Sequence, residues 1–244
     1  MRLFALSLPF AFCFACSSVG QSEEMHANES KVEDSIYVNS SQIDTSELSL
    51  NFEVMGSYND IKREIARNRQ SANSKEDLER YLLDQIVPHW YGTEWDFNGY
   101  TAIPNQGEIA CGYFVSTTLL HAGFKLNRYT MAQQAGLYEA QTLAITEDHY
   151  ETIYGLDSLL AKVEREYKDG LYFVGLDNHV GYVYVKNSVP YFLHSNYIED
   201  RVMIEKAEYS DAFVSNIYVM AEISTNELLL EKWRNGDTIS VVTP

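Results

Sequence analysis

Hydrophobic residues are spaced in two ways along this chain. In its first part they recur every three or four positions, and from residue 171 they alternate or run in short blocks. Tyr58–Gln70 and Ser74–Val87 read as helices. In the second, Leu78, Tyr81, Leu82 and Ile86 make a stripe, Ser74 with Asp77 gives a capping-box-like start, and Pro88 ends it. A third helix opens at Cys111, with Val115, Leu119 and Ala122 on one face and Gly123 as the stop. Met131–Leu143 and Ser158–Lys168 also have helical spacing, the latter with Asp157 as its cap and Gly170 as its stop. Strands are expected at Leu171–Leu176, His179–Val185, Tyr191–Asn196, Val202–Lys206 and Asn216–Ile223, with turns short enough for mainly antiparallel order. Ser224 or Thr225 then caps a last helix, Asn226–Arg234. Helices followed by a meandering sheet predict an α+β architecture with the Cys111 helix packed on the sheet.

The stretch before residue 52 breaks this pattern. Arg2 and the apolar run Leu3–Ala15 read as a secretory signal, too short to span a membrane. Cys16 follows Phe14-Ala15 and precedes Ser17-Ser18, which resembles a bacterial lipoprotein cleavage site with Cys16 as the lipidated residue, although Cys13 stands where leucine is usual. Ordinary signal cleavage nearby and a retained apolar anchor are the alternatives. Residues 17–51 are rich in Ser, Glu and Asn and read as a flexible acidic tether. The expected organisation is a signal over 1–16, the tether over 17–51 and one catalytic domain over 52–244, exported and anchored to the bacterial membrane by lipid. Hydrophobic residues make up 45% of the chain and aromatics 13%, which indicates a folded core. The net charge of −17, without a Lys or Arg cluster, excludes nucleic acid as the expected partner.

Chemistry enters at Gln106–Phe124, QGEIACGYFVSTTLLHAGF. Cys111 is the only cysteine beyond residue 16, and in an exported protein structural cysteines tend to come in pairs. Placed in the first helical turn, it meets unpaired N–H groups and the helix dipole, which favour a thiolate. A lone cysteine on an apolar face is ordinarily packing. A second stretch, GLYFVGLDNHVGYVYV followed by YFLHSNY, supplies partners: His179 opens one expected strand, and His194 with Asn196 lies in the next. His194 and Asn196 point to one face, because strand side chains alternate, and so compete to orient His179. Gly112 is small enough for another backbone to come close. Gln106 is one expected oxyanion donor, with the Cys111 N–H as another. The aromatic loop HWYGTEWDFNGYTAIP offers Tyr91 and Trp95 as substrate-binding groups. Glu147-Asp148-His149 lacks metal-ligand spacing, and no metal or organic cofactor is required.

ACGYFVSTTLLHAGFKLNRYTMAQQ resembles the catalytic-helix segment of NlpC-type cell-wall peptidases. HVGYVYV resembles that family's histidine strand, and FLHS the strand bearing its third polar residue. The resemblance spans Tyr91 to about Tyr197. It departs from the family where Ala110-Cys111-Gly112 replaces the usual aspartate followed by Cys-Ser-Gly, and the Cys-Gly pair with Gln106 upstream is closer to bacteriocin-processing or papain-type peptidases. The resemblance implies a papain-like (NlpC-like) fold and a cysteine peptidase or amidase with Cys111 as nucleophile, His179 as acid–base and His194 as third member. It further implies a peptidoglycan peptide as substrate, and a tyrosine before a glycine at the oxyanion site, which Tyr91-Gly92 resembles. A non-catalytic surface protein binding glycan or peptide, and an amidase or acyltransferase acting on a non-wall amide, are the rival expectations.

Overall fold

The computed structural model describes Leu48, Leu50, residues 52–72 and residues 74–244. The expected signal and the Cys16 lipidation site lie outside these residues, as does the tether apart from Leu48 and Leu50. Leu48 is fully buried in the core and Leu50 packs against it, so the packed domain draws in the end of that stretch.

Seven α-helices are described: α1 Tyr58–Asn68, α2 Lys75–Glu79, α3 Cys111–His121, α4 Arg128–Ala132, α5 Gly136–Ala144, α6 Leu156–Glu166 and α7 Glu227–Asn235. α2 continues as a wider π-helical stretch, Arg80–Ile86, that carries the expected apolar stripe into the core. The expected helix Met131–Leu143 is instead two. α4 starts three residues earlier than expected, capped by Asn127, whose side chain accepts from Tyr129 N–H and Thr130 N–H, and the chain breaks at Gln133–Ala135 before α5. Asp157 is not the cap of α6; Gly155, at φ 81°, turns the chain into it.

The strands are β1 Tyr150–Tyr154, β2 Gly170–Gly175, β3 Val180–Lys186, β4 Val189–Asn196, β5 Arg201–Lys206 and β6 Ile217–Glu222. All pairings are antiparallel, in the order β1-β6-β2-β3-β4-β5. β2 to β5 form the expected meander, while β6 crosses to the other side of β2 and receives β1, a strand that the hydrophobic pattern did not announce. The molecule is therefore α+β with a six-stranded antiparallel sheet.

Alternation along the strands builds two apolar layers. Phe173, Tyr182, Tyr184 and Leu193 join the layer that holds α3, whereas Val183, Val185, Phe192 and Phe213 form the layer beneath α6. In the first, Phe114, Val115 and Leu119 of α3 are fully buried, each contributing roughly 1.5–3 kcal/mol. Tyr182 fixes this helix to the sheet, its hydroxyl donating to Val115 O (2.9 Å) and lying 2.8 Å from Thr118 Oγ1. The far end of α3 is held by Trp233 Nε1, which donates to Ala122 O at 2.7 Å. Among the described residues no helix is long and apolar enough to cross a membrane.

Candidate active site

α3 is packed so that its first residue reaches the rim of the sheet. Gly112 permits this: a Cβ there would stand 2.8 Å from Ala132 O of α4. Cys111, Gly112, Glu139, Asp177, His179 and Val180 are among the residues that line a cleft of about 550 Å³ between α3, α5 and the start of β3. Cys111 is the free cysteine of the described residues. The expected thiolate is not its resting form. Burial pushes the thiol up from its ordinary value, the nearby Glu139 carboxyl adds to this, and the N–H groups of Val180, Gly112 and Cys111 itself only partly offset the two.

The histidines come from the other side of the sheet. Val180, at the head of β3, belongs with the α3 layer, but His194 stacks on Phe192 of the α6 layer with centroids 3.9 Å apart. His179 precedes β3 and bridges the rim. Its Nε2 lies 2.8 Å from His194 Nδ1. His194 Nε2 in turn lies 3.1 Å from Glu205 Oε1 of β5. That oxygen already accepts from Ser210 Oγ (2.6 Å) and Asn196 Nδ2 (3.2 Å). A carboxylate oxygen supplies no proton to these donors, so His194 holds its own proton on Nε2, and its Nδ1 accepts the His179 Nε2–H. His179 is thereby left with an unprotonated Nδ1. Burial keeps both imidazoles neutral: His194 is lowered to about 3, and His179 falls well below its ordinary value, helped by His194. Among the described residues the Cys111 thiol makes no hydrogen bond to His179.

Asn196 does share a face with His194, as alternation requires, but it does not touch His179. Its Nδ2 serves Glu205 and Met203, and its Oδ1 caps the β4–β5 turn by accepting from Ile198 N–H (2.7 Å) and Glu199 N–H (3.1 Å). Gln106 is not brought to the cleft. It sits exposed at the tip of a hairpin closed by the Tyr100–Ile109 bridge, where Asn105 and Gly107 turn the chain at positive φ. Tyr91 is also elsewhere, buried against Phe52 because Gly92 N–H is drawn to Val202 O at the edge of β5. Trp95 reaches the site only through Tyr197, whose ring lies 6.2 Å from Trp95 and 5.1 Å from His179.

Three residues here escaped the sequence reading. Glu205 interrupts an otherwise apolar strand, Val-Met-Ile-Glu, and that interruption was the available signal. Glu139 stands four residues before Leu143 on the buried side of α5, a carboxyl on an apolar stripe. Arg128, 6% exposed, ties the aromatic loop to α3 by donating to Tyr100 O (2.6 Å) and Thr117 Oγ1 (2.5 Å). Sequence spacing offers no signal for that tie. No family model, curated protein or solved structure matches the chain.

Proposed function

We propose that the chain is a cysteine hydrolase of papain-like (NlpC-like) architecture that cleaves amide bonds, with peptidoglycan peptides as substrate. One observation carries the chemistry: a thiol at a helix start shares a cleft with a neutral imidazole whose tautomer is set by a second imidazole and a carboxylate. Because the thiol rests protonated, His179 acts first as a base. Its Nδ1 takes the Cys111 proton as Sγ attacks the amide carbon, and the first-turn N–H groups of α3 meet the developing oxyanion. The C–N bond then breaks and the imidazolium returns that proton to the leaving amine. A water, deprotonated by His179, hydrolyses the thioester and restores the thiol. Substrate entry has to bring Sγ and Nδ1 together, as free enzymes often leave such contacts loose. The wall peptide as substrate rests on the likeness of residues 110–134 and 179–197 to the wall peptidases.

Digestion of muropeptides followed by mass spectrometry tests this reading. New amine termini and a thioester trapped on Cys111 are expected with the native chain, and neither with Cys111→Ser, whose circular dichroism should be unchanged. No new amine from any muropeptide removes the wall substrate; no adduct on Cys111 with any peptide amide removes the enzyme. The neutral thiol without a hydrogen bond to His179 favours, as second reading, a non-catalytic surface protein that binds peptide or glycan. We further propose membrane anchoring through Cys16. Palmitate labelling in bacteria should be lost in Cys16→Ser, and a differently processed protein in the medium would refute it.

A further inference from the structure

The mechanism leaves a buried carboxyl of the cleft unused. Glu139, in the first turns of α5, is 1% exposed, and its Oε2 is buried with no hydrogen-bond partner. Native proteins seldom bury a carboxyl oxygen unsatisfied unless something else completes it. Its place is fixed by backbone, since Gly136 of α5 lies so close to Gly175 of β2 that a Cβ on it would stand 2.8 Å from the Gly175 Cα. Around it the cleft wall is largely apolar, with Leu137, Leu176, Val180 and Val219. Two carboxyls and no Lys or Arg occur among the described residues that line it. The second carboxyl, Asp177, is exposed and already accepts from the backbone and side-chain N–H groups of Asn216. The described lining of the cleft therefore offers Glu139 no positive partner.

We propose that Glu139 is the recognition group of this cleft and takes up a primary alkylammonium, whose carbon chain lies along the apolar wall. An ammonium brings the three N–H donors and the charge that the site lacks. The groups facing Glu139 are Cys111 of α3 and Tyr182 of β3, with Tyr154 of β1 and, at the rim, Asp177 and His179. At neutral pH only Asp177 among them is charged, and it is an anion. Burial holds Glu139 protonated in the empty cleft. Uptake of the ammonium therefore ionises it: the carboxyl O–H bond breaks, its proton passes to solvent, and the ammonium–carboxylate pair remains. That the bearer is a substrate rests on the hydrolase reading; the binding itself does not.

The test is calorimetric titration of the full chain carrying Cys111→Ala with n-pentylamine and with N-pentylacetamide, at pH 7 in two buffers of different ionisation enthalpy. The amine should bind at least tenfold more tightly than the amide, with release of close to one proton. In the added Glu139→Gln variant both the preference and the proton release should vanish. Glu139→Leu fills the same space without a carboxyl and serves as a second variant should Gln disturb folding. Absence of amine binding, equal binding of the two probes, binding without proton release, or a preference that survives both variants overturns the proposal. Hydrolysis by the native chain, measured on lysyl peptides and their Nε-acetylated forms, separates the two readings. Ammonium binding without hydrolysis sinks the hydrolase alone, and hydrolysis indifferent to acetylation sinks the recognition alone.

Discussion

His194 and Asn196 leave β4 on the same side, yet only the first reaches His179. Under the proposed hydrolase chemistry, His194→Ala should remove the acceptor for the His179 Nε2–H and lower kcat by about 10²–10⁴-fold, the range that general acid–base catalysis contributes. Asn196→Ala should lower kcat far less and weaken chiefly the β4–β5 turn that its Oδ1 caps. Glu205→Gln tests the whole relay. An amide can present N–H instead of oxygen to His194 Nε2, shifting the imidazole protons, so kcat and the acid limb of its pH profile should both change while Tm moves little. Alkylation of Cys111 by iodoacetamide should rise only above the ordinary thiol range, because burial pushes the thiol up. At this scale the sequence was informative for residue types and poor for their environments. Cysteine, two histidines and an asparagine were legible because strand and helix periods place them. The protonated thiol was not, because it depends first on burial among α5 and the start of β3, which residue spacing along the chain does not show.

The contact of α5 with β2 sets where Glu139 stands. Gly136 and Gly175 face each other so closely that Gly136→Ala has to push the helix off the strand, with an expected loss of about 1–3 kcal/mol, read as a lower denaturant midpoint. The same substitution should loosen recognition in the cleft before it affects His179, which is carried by other elements. Among the elements, those with an apolar stripe or a continuous apolar run were legible: α1 and α7 by their stripes, α3 and the β2–β5 meander by their runs. β1 was not, because in Tyr-Glu-Thr-Ile-Tyr only Ile153 is buried and Tyr154 is 69% exposed, as suits a strand at the sheet's edge. The division of α4 from α5 was also hidden, since it occurs at Gln133–Ala135 without a proline, and Gly136 just inside α5 was its one trace.

Over the whole molecule, buried ionisable groups should shape stability against pH. His121 is lowered to about 4, by burial first and then by Lys62 and Arg128, and His194 to about 3. In the unfolded chain these histidines take up protons near the usual histidine value, so stability is full at neutral pH and falls as the pH drops from there through 4. His121 alone accounts for on the order of 3 kcal/mol of that fall. Glu139 and Glu205 act in the opposite sense. Their carboxyls are raised, the folded state keeps protons that the unfolded state has lost, and stability declines as pH rises above the usual carboxylate range. Melting curves between pH 3 and 9 should therefore pass through a maximum, and Glu139→Gln should flatten the alkaline side; an unchanged alkaline limb would mean that Glu139 is not protonated in the fold. The imidazole chain, finally, passes from the cleft rim to the far layer of the sheet, where Phe192 stacks on His194 and Phe213 lies 4.7 Å from Phe192. Under the proposed chemistry this restricts how the protein can evolve. Selection for activity among random variants should reject replacements of Phe192, Phe213 and Ser210, none of which lines the cleft, as it rejects those of Cys111, so the far layer is inherited together with the reaction.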